Sequence, residues 1–309
     1  MRNAFADVIF EVAQADERIC VVVADISPAG SMVHFRERYP ERFINVGVAE
    51  QVMIGLAAGL ALKGMRPFCY TIATFSLFRP FEMIRVDLAY QNLPVTVIGM
   101  GAGVLYSTLG GTHHTMEDIA VAAAVPNLTV VAPCDPEEMR ETTRWCASTS
   151  KGPVYMRLGK AGEPDLTRDS CDPFVIGKVR YLTRGSDIAI LSYGITVALA
   201  NSIADRFRAN GASVSVLSVH MIKPLDVNGI AAVLASHATV LVVEEHVPHG
   251  GLGSRVKEVA WDTGARCRLE CFSLQDAFIH CYGTHSELLA AHGLTAERIV
   301  NKIARHSVT

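Results

Sequence analysis

Glu50 is the most chemically suggestive residue of the sequence. It opens a helical run that is otherwise apolar and small, with Ile54, Gly55, Ala57, Ala58, Gly59 and Ala61 behind it. A carboxylate in a first helical turn is favoured by the helix dipole whatever its role. A carboxyl in apolar surroundings is also able to donate or share a proton, because desolvation raises its pKa. Phe75, Phe78 and Phe81 recur every three residues. That spacing reads as an apolar helix face in a core, and directly after a strand end it also offers a flat ligand a surface to stack on. His113 and His114 follow Gly110 and Gly111, where glycines permit close backbone approach and an imidazole can move protons.

Other chemistries fit less well. No His-Glu-x-x-His occurs, which removes a zinc-protease reading, and no Gly-x-Ser-x-Gly elbow follows a strand. Gly99-Met100-Gly101-Ala102-Gly103 lacks the spacing of a dinucleotide loop. The eight cysteines, Cys20, Cys69, Cys134, Cys146, Cys171, Cys267, Cys271 and Cys281, are scattered and mostly lie in apolar runs, so they read as reduced thiols used as small core residues. Cys267 and Cys271 with His280 and Cys281 do not match a paired zinc-knuckle spacing. No metal-ligating set is expected.

The elements that must position these residues alternate. Ile19 to Ala24, Pro67 to Ile72, Pro94 to Gly99, Leu128 to Ala132 and Pro153 to Arg157 read as buried strands, with a short run at Ile44 to Val46. Ala49 to Lys63, Phe78 to Gln91, Met116 to Ala124 and Pro136 to Ala147 read as helices. Such alternation predicts a parallel sheet covered on both faces, with ligands beyond the carboxyl ends of its strands. That rim collects Asp25, Glu50, Phe75, Phe78, His113, Arg157 and Lys160. The stretch from about 160 to 185 is polar and turn-prone. After it the pattern restarts, with strands at 187–192, 213–219, 239–245 and 268–272 and helices at 196–210, 226–236, 253–263 and 295–305. The expected organisation is a domain at 1–165, a linker at 166–184 and a smaller α/β domain at 185–309.

Bulk properties exclude several classes. Of 309 residues, 50% are apolar and 19% charged, and the net charge is −3. That composition builds real cores but no basic field for nucleic acid or an anionic membrane. The apolar run Val52 to Leu62 is too short for the roughly 20 residues a membrane span needs. The beginning, Met1-Arg2-Asn3-Ala4-Phe5, has no signal-type apolar run, so a cytoplasmic protein is expected.

Taken together, these segments resemble the C-terminal part of the transketolase family, which includes sugar transketolases and deoxyxylulose-phosphate synthase. The match covers essentially the whole chain. It is most specific in Asn45-Val46-Gly47-Val48-Ala49-Glu50-Gln51 followed by Gly55-Leu56-Ala57-Ala58-Gly59, and continues in Thr74-Phe75, Gly111-Thr112-His113-His114 and Arg157-Leu158-Gly159-Lys160. In the second half Ile222-Lys223-Pro224-Leu225-Asp226, Val243-Glu244-Glu245-His246, Gly250-Gly251-Leu252-Gly253-Ser254 and Tyr282-Gly283-Thr284 are similar to the family's C-terminal domain.

The resemblance implies a thiamine-diphosphate pyrimidine-binding domain followed by a transketolase C-terminal domain. It implies that Glu50 hydrogen-bonds the cofactor's aminopyrimidine and that Phe75 stacks on it, with Phe78 and Phe81 completing the pocket and Asp25 nearby. His113 would face the substrate, and Arg157 and Lys160 would bind its phosphate. The family's Gly-Asp-Gly motif for magnesium and diphosphate is absent from the sequence. The expectation is therefore a separate N-terminal diphosphate-binding subunit holding Mg2+, an α2β2 heterotetramer, and activity only with that partner. The implied reaction transfers a two-carbon ketol or acyl unit from small carbonyl or sugar substrates through a thiamine diphosphate adduct. A decarboxylating enzyme, either of deoxyxylulose-phosphate-synthase type or a 2-oxoacid dehydrogenase beta subunit, is the alternative, and a non-catalytic scaffold is another. The family's usual Asp-Gly-Pro-Thr-His is here Leu109-Gly110-Gly111-Thr112-His113, and a histidine of the sugar transketolases aligns with Gly101. Both changes imply a less polar pocket and a specialised substrate.

Overall fold

The computed structural model describes residues 1–27 and 30–305; Pro28 and Ala29 of the rim segment after the first strand, and residues 306–309, lie outside the described residues. The strands are β1 (Ile19–Val23), β2 (Phe43–Asn45), β3 (Arg66–Ile72), β4 (Thr96–Met100), β5 (Thr129–Val131), β6 (Val154–Leu158), β7 (Arg180–Thr183), β8 (Ile188–Ser192), β9 (Val214–Ser218), β10 (Met221–Lys223), β11 (Thr239–Val243) and β12 (Arg268–Phe272). The helices are α1 (Arg2–Ala15), α2 (Met32–Arg38), α3 (Glu50–Leu62), α4 (Ala73–Leu77), α5 (Phe81–Met83), α6 (Asp118–Ala124), α7 (Pro136–Ser148), α8 (Val197–Ala209), α9 (Val227–Ser236), α10 (Leu252–Thr263), α11 (His285–Ala291) and α12 (Ala296–Arg305). The helix expected at 78–91 begins as α5 and continues as a π-wound segment, Ile84–Tyr90.

Among the described residues, one sheet has the order β10-β5-β6-β4-β3-β1-β2 and the other β12-β11-β8-β9-β7. All pairings are parallel except β10 with β5 and β7 with β9. Strand alternation sorts the core. Ile19, Val21 and Val23 face α1, α2 and α7 through Phe5, Ile9, Phe35 and Met139. Val22 and Cys69 face the opposite cluster, which runs on without a break through Leu191, Leu217 and Val242 of the second sheet. Phe5 and Ile9 are fully buried, and Phe5→Ala would cost about 3–5 kcal/mol.

The two halves are clasped by elements with little sequence signal. β10 follows β9 of the second sheet yet pairs with β5 of the first. From it Lys223 donates to the Ala123 carbonyl at 2.9 Å and to that of Val125, serving the carbonyl end of α6. β7 lies within the stretch read as linker and pairs with β9. Asp135 caps α7 through Glu138 N–H at 2.9 Å, and its other oxygen takes the N–H groups of Leu166 and Thr167, which pins the crossing segment. Cys20, Cys69, Cys134 and Cys146 are buried as expected, whereas Cys171 is exposed in that crossing segment.

Candidate active site

The parallel strands β2, β1, β3, β4 and β6 all end on one edge of the first sheet. The chain goes from β1 outward to β2 and then back across to β3 on the far side of β1. The crevice of a doubly wound sheet lies at this kind of reversal. Glu50 stands there, as the first residue of α3 after β2. It is 3% exposed. Its surroundings differ from the apolar pocket expected: Arg79 donates to both carboxylate oxygens, at 2.9 and 3.1 Å. Arg79 itself has a side chain 43% exposed, so the pair is only half shielded from water.

Arg79 links Glu50 to the aromatic part of the rim. Its guanidinium lies 4.1 Å from the centroid of the Phe75 ring. Phe75, on α4 after β3, meets the His113 imidazole edge-on at 5.2 Å. His113 lies 6.0 Å from the Tyr106 ring, and Lys160 Nζ stands 4.9 Å over that ring. Glu50, Phe75, His113 and Lys160 are thus joined in one chain of contacts through two residues that the sequence reading did not single out, Arg79 and Tyr106. Arg79 left a faint signal as the single cation within an aromatic run. Tyr106 left none, because its place is decided by space: Gly101 has φ +70, and a Cβ built there would come within 2.9 Å of Tyr106 Cδ2. Gly101 therefore leaves its room to this ring.

His113 is half-buried, with Thr112 Oγ1 2.9 Å from Nδ1, which leaves Nε2 for a ligand. Its neighbour His114 is turned inward and is 4% exposed. Burial, the largest influence, lowers the His114 pKa and so favours its neutral form. Leu109 is 47% exposed beside them.

Other expected residues are placed differently. Phe78 and Phe81 are half-buried and pack on the core cluster of Ile54, Ala57 and Leu77. Asp25 lies two residues after β1 with φ +64 and an exposed side chain, and its carbonyl is 3.4 Å from Asn45 Nδ2. It belongs to the rim but not to the contact chain. Arg157 does not reach the rim surface. It is 3% exposed, with Nε on Asp118 Oδ2 at 3.0 Å and Nη2 on the Glu245 carbonyl at 2.9 Å. Lys160, three residues on, is exposed. Among the described residues no group of three or more His, Cys, Asp or Glu is arranged to hold a metal, and no helix is long and apolar enough to cross a membrane.

The family model "Transketolase, pyrimidine binding domain" matches residues 1–162, and "Transketolase, C-terminal domain" matches 177–299. One subunit of the apulose-4-phosphate transketolase of Phocaeicola vulgatus is 34% identical over 96% of this chain and 94% of its own length. The 1-deoxy-D-xylulose-5-phosphate synthase of Syntrophotalea carbinolica is 36% identical over 97% of this chain, which spans 47% of that longer protein. A solved split-gene transketolase, described as an inactive beta4 tetramer, superposes with a TM-score of 0.86 at 32% identity, covering 98% of this chain and 96% of that one.

Proposed function

This chain belongs to the transketolase family, and on that footing we propose that it is the pyrimidine-binding and C-terminal subunit of a split, thiamine-diphosphate-dependent transferase acting on small carbonyl or sugar substrates. The observation that carries the reading is Glu50. It is a buried carboxylate at a helix start in the switch-point crevice, tied by contact to Phe75 and His113. Those groups fit an aminopyrimidine: a carboxylate to hold a ring-nitrogen proton, a ring to pack against, and a half-exposed guanidinium that can leave. Bound there, thiamine diphosphate would supply the nucleophilic carbon that takes up the two-carbon unit.

The chain's own side chains do the rest. Glu50 would hold a proton at the pyrimidine ring nitrogen, which requires the Arg79 guanidinium on its carboxylate to move aside. Phe75 would pack against that ring, with Phe78 and Phe81 backing the pocket from the core and Asp25 on the same rim. His113, with Nδ1 engaged by Thr112, presents Nε2 to a substrate hydroxyl or carbonyl. Lys160 places a point charge for an anionic substrate tail. We assign magnesium and the diphosphate to a partner chain, because a relative matched along 94% of its own length is itself named a subunit. The exposed apolar face that follows Glu50 on α3, with Val52 57% and Leu62 62% exposed, supports a protein partner there, and we place the assembly as a cytoplasmic α2β2 heterotetramer.

Glu50→Gln tests the reading. In the complex with the diphosphate-binding subunit it should assemble normally and lose about 100-fold or more of kcat, the low end of what a placed proton-transfer group contributes. An equally active variant would remove Glu50 from the chemistry. The 36% identity to a deoxyxylulose-phosphate synthase favours one second reading, a decarboxylating reaction on the same site. Release of carbon dioxide from pyruvate by the complex would decide for it.

A further inference from the structure

The loop that presents His113 is held mainly by the C-terminal half of the chain. It leaves β4, and its neck is closed by a pair of backbone hydrogen bonds between Gly103 and Thr115, at 2.9 and 2.8 Å. Just beyond that neck both of its feet are bound by residues that follow β11. Glu245 Oε1 accepts the Val104 N–H at 2.6 Å, and the Val247 N–H donates to the Met116 carbonyl at 2.8 Å. Between them His246 Nε2 accepts the Ala120 N–H at 3.3 Å. Glu245 is fully buried, and His285 at the start of α11 holds it with Nε2 3.0 Å from Oε1.

The tip is held as well. His113 N–H donates to the Gly110 carbonyl at 2.9 Å, forming the turn that carries the imidazole. Gly110 has φ +76, and a Cβ built on it would lie 2.9 Å from Tyr282 Cε1. On Gly111 it would lie 3.6 Å from Phe278 Cδ1. Tyr282 is 72% and Phe278 64% exposed, so neither ring is there to fill a core. They rest on the two glycines immediately before Thr112 and His113.

We propose that Tyr282, Phe278 and Glu245 of the C-terminal domain are positioning residues for the His113 loop, fixing where the imidazole stands relative to the Phe75 ring. The inference rests on the reading of His113 as the substrate-facing group. A loop of this length with no strand or helix of its own otherwise samples open states readily, and a displacement of about 1 Å at a reacting group costs on the order of 100-fold in rate. This gives the second domain a part in catalysis without its touching substrate or cofactor.

Hydrogen exchange on the full chain reads the clamp without any activity. In Tyr282→Ala and in the double variant Phe278→Ala/Tyr282→Ala, amides of residues 104–115 should exchange at least about tenfold faster, while those of β4 and β6 are unchanged. Tyr282→Phe should protect the loop as the native residue does, because the ring makes the contact. Unchanged exchange in the double variant would overturn the proposal. In the complex with the diphosphate-binding subunit, Tyr282→Ala should lower kcat about tenfold or more with thiamine diphosphate affinity retained, and Tyr282→Phe should restore it. A loosened loop with native kcat would equally overturn the positioning role. A native complex with no transferase activity would instead sink the reading of His113, and the exchange result would stand apart from it.

Discussion

Arg157 and Lys160 sit three residues apart at the end of one strand, one buried and one exposed. Arg157 is paired in the interior with Asp118, whose side chain is fully buried. Removing one partner of such a pair strands the other charge, at a cost of about 3–5 kcal/mol. Arg157→Met should therefore lose stability of that order in denaturant unfolding. Lys160→Ala should leave the unfolding midpoint in place and raise KM for a phosphorylated substrate. The sequence placed both on the rim, since each follows an apolar strand. What separates them is Asp118, 39 positions away in the chain, a contact that no local pattern reports. Glu50 was legible for the opposite reason: a lone carboxylate before an apolar helix stands out locally, whereas its Arg79 counter-ion emerges only when the chain folds. The Glu245–His285 pair adds a pH signature. Burial pulls the His285 pKa down, but the charge and hydrogen bond of Glu245 outweigh it and leave the pKa above its ordinary 6.5, against opposition from Arg157. Burial pushes Glu245 up, but His285, Arg157 and the Val104 N–H together hold it below its ordinary 4.5. The histidine's contribution is complete below 6.5 and is lost as pH rises through the raised value. The carboxylate's is complete above 4.5 and is lost as pH falls through the lowered value. The melting-temperature gap between the native chain and His285→Ala should thus be widest between about pH 4.5 and 6.5 and should narrow as pH rises through the raised His285 value.

Helix α3 ties the rim to the outside of the subunit. Its inner face, Met53, Ile54, Ala57, Ala58 and Ala61, is buried in the core, while Val52, Gly55, Gly59 and Leu62 are exposed. A Cβ on Gly59 meets nothing within 4 Å. Gly59→Ala should therefore stabilise the isolated chain by about 1 kcal/mol through helix propensity. Gly59→Trp should leave folding intact but reduce assembly seen by light scattering, if this face receives a partner. Unchanged assembly would move the interface elsewhere. Element by element, the alternating strands and helices were readable because buried parallel strands and amphipathic helices each leave a local period. α1 was missed in the sequence, although Phe5, Val8, Ile9 and Val12 carry such a period there. β10, a three-residue edge strand that crosses from one half to the other, leaves no period, and neither does the clamp around Gly110 and Gly111, which is made of single contacts from distant loops.

At the scale of the molecule, the crossing of β10, the buried Arg157 bridge and the grip of Glu245, Val247 and Tyr282 on the His113 loop make the two halves one mechanical unit. In the function proposed above, that unit supplies the carboxylate and ring for a pyrimidine and the histidine for a substrate, and we assign the diphosphate and its magnesium to another polypeptide. The sequence reading rested this division on the missing Gly-Asp-Gly motif, and a solved split-gene transketolase chain is similar to this one over nearly the whole of both. The chain by itself should catalyse no transfer. Calorimetric titration of thiamine diphosphate with magnesium, into this chain alone and into its mixture with the diphosphate-binding subunit, tests the claim most directly. Tight, magnesium-dependent binding in the mixture and none in the chain alone is the predicted result. Tight, magnesium-dependent binding by the chain alone would contradict it.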